Sequence, residues 1–156
     1  LILEGVRAAR PIYMFGMRAM KVGSIALYDT EATAARNGLI TFEDTNGSID
    51  SLIVRNCRAG ETLFRMGRGD YHVNSGVGSP ESYLKIDTLL LDTVTAESLT
   101  GRDFAFFGRT SGTTGQYTVE IDRYLYATEH DDIAAYMALK TSGDSLNVVK
   151  KEATKL

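Results

Sequence analysis

An eight-residue pattern that returns along the chain constrains its fold more than any other feature. The clearest copy is Leu52-Ile53-Val54-Arg55-Asn56-Cys57-Arg58-Ala59, which opens on an apolar triplet and closes on alanine. Copies begin at residues 1, 25, 52, 89, 124 and 146, with separations of 24, 27, 37, 35 and 22 residues. A basal period of roughly 22–27 residues with two insertions is typical of a solenoid, whose repeats must stack to bury their apolar faces.

A second apolar pattern follows each of the first five octets. Its copies begin at Ile12, Leu39, Leu63, Phe104 and Ala135, between 11 and 15 residues after the preceding octet starts. Both patterns are short, rich in Val, Ile, Leu, Tyr and Phe, and bounded by turn-forming residues, so they predict strands. Residues 30–36 are the only helical candidate, and they could equally form a turn. Two strands per repeat, with a short third one before the next, predict an all-β parallel β-helix of about five to six coils.

In such a stack, equivalent residues of successive coils form columns, with neighbours about 4.8 Å apart. Two columns are predicted to line the interior and one to require a small side chain at a turn. The interior columns are Leu3, Leu27, Val54, Leu91, Tyr126 and Val148, and Leu1, Ile25, Leu52, Leu89, Tyr124 and Leu146. The small-residue column is Ala8, Ala32, Ala59, Ala96 and Ala153. The single cysteine, Cys57, is predicted to be a buried apolar residue without chemistry.

Composition narrows the classes of partner. A net charge of -3 and a pI near 5.4 argue against a nucleic-acid surface, which needs a concentrated basic excess. The sequence has no run of eighteen apolar residues, so no membrane insertion is expected. We expect residues 1–156 to form a single β-helix domain. Because Leu1 already lies inside a repeat, we also expect the chain to be a piece of a longer protein.

The apolar triplet, polar pair and small residue of Leu52-Ile53-Val54-Arg55-Asn56-Cys57 resemble the coils of the pectin-lyase-like, right-handed parallel β-helix superfamily. The pattern is most similar to the repeat domains of secreted bacterial polysaccharide lyases. The resemblance implies a right-handed coil and an extracellular or cell-surface protein that acts on, or holds, long acidic or neutral glycans. It is a resemblance of fold and does not identify an enzyme.

A basic column is the strongest candidate for a binding site. Arg68, Arg109 and Lys140 fall at equivalent positions after the second strand, and Asp44 precedes them one coil earlier. Like charges at this spacing repel, but a polyanion lying across them would be held, and arginine offers a bidentate fork to carboxylate or sulfate. The alternative is three solvated surface charges.

Two insertions open directly after this column, at residues 69–82 and 111–117. Loops that leave a rigid scaffold on one side often carry binding residues. We therefore predict a ligand-binding site formed by Arg68, Arg109, Lys140, Tyr71, His72 and Tyr117. The alternative is that the loops cap a lateral groove or contact another chain.

Two acidic groups have chemical interpretations as well. Asp50, Asp87, Asp122 and Asp144 recur two residues before the octets, where they could bind calcium or cap their own turns. Glu129-His130-Asp131-Asp132 could supply the carboxylate pair of a glycosidase or form a polar turn. Neither pattern identifies a catalytic residue, and no cofactor other than calcium is suggested.

These observations favour an accessory, non-catalytic β-helix domain of a secreted polysaccharide-active protein that binds an acidic glycan. One alternative is a polysaccharide lyase or glycoside hydrolase acting on uronate-containing polymers. The other is a structural β-helix, such as a phage tailspike segment. Exposed end coils also predict stacking on another domain or a second copy.

Overall fold

The chain is all-β in a computed structural model that describes residues 1–34, 38–43, 45–60, 62–67, 81–96, 105–109, 116–127 and 145–156. These residues contain fourteen strands, and none of these residues is helical. The strands are β1 (Ile2–Glu4), β2 (Arg7–Ala8), β3 (Ile12–Phe15), β4 (Met20–Tyr28), β5 (Glu31–Ala32), β6 (Ile40–Glu43), β7 (Gly47–Arg55), β8 (Arg58–Ala59), β9 (Thr62–Gly67), β10 (Glu81–Asp92), β11 (Thr95–Ala96), β12 (Ala105–Arg109), β13 (Gln116–Tyr126) and β14 (Ser145–Lys155).

The strands form three parallel sheets. The first contains β1-β4-β7-β10-β13-β14 in that order, the second β11-β8-β5-β2, and the third β12-β9-β6-β3. From β1 to β10, each strand therefore pairs with the strand three places later in the sequence. We call each set of three successive strands a level: β1–β3 form level one, β4–β6 level two, β7–β9 level three and β10–β12 level four. This parallel topology is compatible with the predicted β-helix.

The register of the first sheet matches most of the predicted interior columns. Leu3 pairs with Leu27, Leu27 with Val54, Val54 with Leu91, and Leu91 with Tyr126. The side chains of Leu27, Val54 and Leu91 are fully buried, as are those of Ile25, Leu52, Leu89 and Tyr124 in the neighbouring column. In the second sheet Ala8 pairs with Ala32 and Ala59 with Ala96. These side chains face a common core because successive levels stack in register.

The last predicted octet is wrong in register by seven residues. Leu146 pairs with Tyr117 and Ala153 with Tyr124, whereas the octet alignment placed Leu146 level with Tyr124. Val148 consequently pairs with Val119 and leaves the predicted column of Tyr126. The side chains of β13 alternate between partly buried and buried from Thr118 to Asp122 as well, so a short apolar match fits two registers.

The predicted register of the second apolar pattern is also wrong in two places. Ile40 pairs with Phe64 as predicted, but Ile12 pairs with Ile40 and not with Leu39. In level four, Phe107 pairs with Phe64, which is two residues away from the alignment predicted for this strand. Several consecutive apolar residues in each copy leave the register open by one or two positions.

In four long strands of the first sheet, β4, β7, β10 and β13, the inward positions shift by one residue at a dipeptide that we call the corner. In β10, Leu84 and Ile86 are buried before the corner, and Leu89 and Leu91 after it, so the inward positions shift by one residue at Asp87-Thr88. Gly23-Ser24, Asp50-Ser51 and Asp122-Arg123 take the same place in β4, β7 and β13. The predicted short third strand is thus the first half of each long strand. Residues 31–32, in the helical candidate, form strand β5.

Candidate functional site

The two predicted insertions are anchored on neighbouring strands at both ends. Segment 68–80 follows β9 and segment 110–115 follows β12, and β9 and β12 are paired. They lead into β10 and β13, which begin with the pairs Glu81↔Gln116 and Ser82↔Tyr117. The predicted insertions, 69–82 and 111–117, therefore extend two residues too far, because their last residues already belong to strands.

Four of the six predicted binding residues, Arg68, Tyr71, His72 and Lys140, lie outside the described residues. The backbone of Arg109 ends β12, where it pairs with Met66. The alignment that placed Arg109 level with Arg68 is therefore wrong by two residues. The backbone of Tyr117 lies in β13 between Ser82 and Leu146. The acidic cluster 129–132 and Asp44 also lie outside the described residues.

A cluster of charged side chains lies on the outer side of the first sheet, directly after the ends of both insertions. It occupies alternate positions of the first halves of β10, β13 and β14, opposite the buried side chains of Leu84, Ile86, Val119 and Ile121. We call it the charged face. Its members are Tyr83, Lys85, Asp87, Glu120, Asp122 and Lys151.

The charged face is a connected network of ion pairs across three strands. Lys85 Nζ lies 3.0 Å from Asp87 Oδ1 and 3.0 Å from Asp122 Oδ2. Lys151 Nζ lies 2.7 Å from Asp122 Oδ1 and 2.5 Å from Glu120 Oε1. Tyr83 Oη donates a hydrogen bond of 2.8 Å to Glu120 Oε2. Asp122 therefore joins the two lysines, and the network spans from β10 to β14.

The electrostatics of the charged face favour the ionised forms of four of its groups, Lys85, Lys151, Glu120 and Asp122. Hydrogen bonds from Lys151 lower the pKa of both Glu120 and Asp122, with further lowering by Tyr83 and Lys85 respectively. Hydrogen bonds to Asp87 and Asp122 raise the pKa of Lys85, and those to Asp122 and Glu120 raise the pKa of Lys151. A catalytic base or acid needs a pKa near the working pH, and these shifts move all four groups away from it. The charged face is suited to binding through charge and hydrogen bonds.

The predicted aspartate column is partly present. Asp50, Asp87 and Asp122 lie in line, because the residues on either side of them pair in register. Lys151 takes the next place, since Ile121 pairs with Lys150 and Arg123 with Glu152. Asp144 lies outside the described residues. Within the part of the chain that the structure describes, no group of three or more His, Cys, Asp or Glu residues could hold a metal ion.

Cys57 is buried, as predicted. Its side chain is 2% exposed, its thiol is free, and Sγ lies 3.1 Å from the carbonyl oxygen of Arg55. Burial raises the pKa of the Cys57 thiol, which disfavours the reactive thiolate.

The charged face was not predicted from the sequence. The pattern that could have indicated it is the spacing in Lys85-Ile86-Asp87 and Glu120-Ile121-Asp122, where charged residues flank one buried isoleucine. Charges two residues apart in a strand share a face. Lys151 could not be added because the predicted register of β14 was wrong.

No protein family model matches the chain, and neither the curated proteins nor the solved structures contain a match. Among the described residues, no helix is long and apolar enough to cross a membrane.

Proposed function

We propose that the chain forms a right-handed parallel β-helix and acts as a non-catalytic, extracellular domain that binds an acidic polysaccharide. The observation that carries this proposal is the position of the insertions. Both leave paired strands, and both return to paired strands immediately before the charged face. Segments 68–80 and 110–115 thus begin and end on paired strands, beside charged side chains that cross three neighbouring strands. Such an arrangement suits a ligand that is itself a polymer.

The contacts of such a glycan would come from two sources. On the sheet, the Tyr83 side chain is 41% exposed and offers an aromatic surface to a sugar ring. Lys85 and Lys151, with side chains 37% and 54% exposed, are already paired with Asp87, Glu120 and Asp122, so the cations that would hold a uronate carboxylate must come from the second source. The second source is the insertions and other segments near them in the predicted stack. The proposed ligand-binding residues there are Arg68, Tyr71, His72, Arg109, Tyr117 and Lys140.

Binding is favoured over catalysis by the pKa shifts of the charged face. A lyase needs a neutral base to remove the proton beside the uronate carboxylate, and a hydrolase needs a protonated carboxyl group. The raised lysine pKa values and lowered carboxyl pKa values disfavour both forms near neutral pH.

Binding to polygalacturonate, alginate and a neutral glucan, measured by calorimetry, tests the proposal. We expect a uronate polymer to bind and the affinity to fall as salt is added, because exposed charge contacts are screened. Arg68→Ala and Arg109→Ala should each weaken binding roughly tenfold, the cost of losing a charged hydrogen bond. Arg123→Ala is the matched control, because Arg123 is exposed at the corner of β13 and outside the proposed site.

Ultraviolet absorbance of the same mixtures reports any unsaturated lyase product. Accumulation of that product would show that the chain is a lyase and would contradict the proposal of a non-catalytic binding domain. Failure of every uronate polymer to bind, together with a trimeric mass in solution, would instead support a structural segment.

A further inference from the structure

A second surface feature lies at the turn between the first and second sheets. Here a groove of about 310 Å³ crosses levels two to four. Its lining consists of polar or small side chains from three successive turns. They are Asp29, Thr30, Glu31, Asn56, Cys57, Arg58, Thr93 and Thr95. Thr30 and Cys57 are buried, and most of the others are exposed.

The groove is built from two parallel lines of side chains. Asp29, Asn56 and Thr93 form one line, because each holds the left-handed conformation at its turn, with φ of 49°, 51° and 54°. Residues two positions later form the other line, since Glu31 pairs with Arg58 and Arg58 with Thr95. Within each line, the strand spacing of about 4.8 Å separates neighbours. This spacing is comparable to the length of one pyranose unit in an extended glycan.

Thr93 is the unusual member of the first line. Left-handed backbone is disfavoured for a β-branched residue, and glycine or asparagine would fit the turn with less strain. The Thr93 hydroxyl donates a hydrogen bond of 3.0 Å to Asp92 Oδ1, and Asn56 Nδ2 donates one to Asp29 Oδ1. The strained residue Thr93 thus places its hydroxyl in the lining of the groove.

The backbone of these turns is already occupied by bonds between levels. Asp29 N donates to Arg55 O at 3.1 Å and Asn56 N to Asp92 O at 2.9 Å. In the second line, Arg58 N donates to Thr30 O and Thr95 N to Cys57 O, each at 3.0 Å. These groups are not open to an added peptide strand, so a ligand must be recognised by side chains.

The charges of the groove select the ligand class. Asp29 and Glu31 are opposed in sign by Arg58, and Glu31 also pairs with Arg7 at 3.0 Å, so the groove carries no concentrated excess of either charge to hold an ion. The hydroxyls of Thr93 and Thr95 and the amide of Asn56 can each donate and accept hydrogen bonds. We propose that this groove binds a neutral oligosaccharide extended along the stack. The inference goes beyond the acidic-glycan binding proposed above, because it concerns different residues and an uncharged ligand.

Two substitutions can remove groove hydroxyls without disturbing the core. Thr93→Gly suits the left-handed turn, and Thr95→Val keeps the shape of a strand residue whose side chain is exposed. Thr88→Val is the matched control, since Thr88 lies at the corner of β10 and does not line the groove. Cellohexaose, mannohexaose and xylohexaose are suitable probes, with binding measured by calorimetry and folding by circular dichroism.

We expect at least one hexaose to bind, and Thr93→Gly and Thr95→Val each to weaken that binding roughly two- to tenfold, as for loss of one neutral hydrogen bond. Thr88→Val should leave it unchanged. Absence of binding by all three hexaoses, or equal binding by all the variants, would overturn the proposal. Polygalacturonate binding by the same variants separates the two sites. Loss of polygalacturonate binding in the groove variants would count against acidic-glycan binding at the insertions. It would not affect the conclusion drawn from the hexaoses about the groove.

Discussion

Leu90 and Leu91 are neighbours in β10 with opposite surroundings. Leu91 is fully buried between Val54 and Tyr126, whereas Leu90 is only partly buried and faces outward. Leu91→Asp should unfold the adjacent levels, because it buries an unpaired carboxylate, and Leu91→Ala should cost roughly 2–5 kcal/mol. Leu90→Asp should cost less than about 1 kcal/mol, as is usual for surface substitutions. Urea unfolding measures all three, and equal losses for the two aspartates would refute the assignment of faces.

Tyr13 offers a second test at the residue scale. Partial burial of its ring, which leaves Tyr13 44% exposed, and then the 2.6 Å hydrogen bond that Oη donates to Glu43 Oε2 raise the pKa of Tyr13 to about 12. Glu43→Gln should lower this pKa, because the acceptor loses its charge while the burial remains. The ultraviolet titration of each protein, minus that of its Tyr13→Phe counterpart, isolates this phenol. Asp50→Asn is the control, and an unchanged pKa in Glu43→Gln would exclude the pairing.

At the scale of elements, the charged face couples stability to acid pH. Because Glu120 and Asp122 have lowered pKa values in the folded state, their contribution is fully present above the ordinary carboxyl pKa of about 4 and is lost as pH falls through the lowered values. Lys151→Met should therefore flatten the fall in urea midpoint between about pH 5 and pH 2. Lys21→Met, at an exposed position of β4, should keep the original slope. Identical slopes in both variants would show that the network does not hold these carboxylates.

Strand register shows how far the sequence alone could predict these elements. The octets correctly placed β1, β4, β7, β10 and β13, because each inward apolar pair stacks on the next. They misplaced β14, since eight residues carry too little information when β13 is apolar on one face both before and after its corner. The ion pairs of Lys151 with Glu120 and Asp122 exist only in the observed register, and they depend on contacts between strands that an apolar pattern does not report.

The candidate sites divide in the same way. The positions where the insertions leave and rejoin the sheets could be predicted to within two residues, because they interrupt a regular repeat. The octets also align Asp29, Asn56 and Thr93 at their fifth position. The groove itself could not be predicted, because an apolar pattern does not report the left-handed conformation that these three residues share.

At the scale of the whole molecule, the central claim is that successive levels stack in parallel across the entire first sheet. An outward column spans all six strands through Ile2, Ala26, Ile53, Leu90, Leu125 and Thr154. Its length is set by the strand spacing, so the separation of its ends is about 24 Å for five intervals of about 4.8 Å. The separation from Ile2 to Leu125 is about 19 Å for four intervals.

Pulsed electron paramagnetic resonance between spin labels on introduced cysteines, in a Cys57→Ala background, measures these separations most directly. We expect about 19 Å between labels at Ile2→Cys and Leu125→Cys, and about 24 Å between labels at Ile2→Cys and Thr154→Cys. In the register predicted from the octets, Thr154 would lie seven residues further along the strand direction, and the second distance would be about 33 Å. That longer distance would contradict the observed register of β14, and a first distance far from about 19 Å would contradict the stack itself.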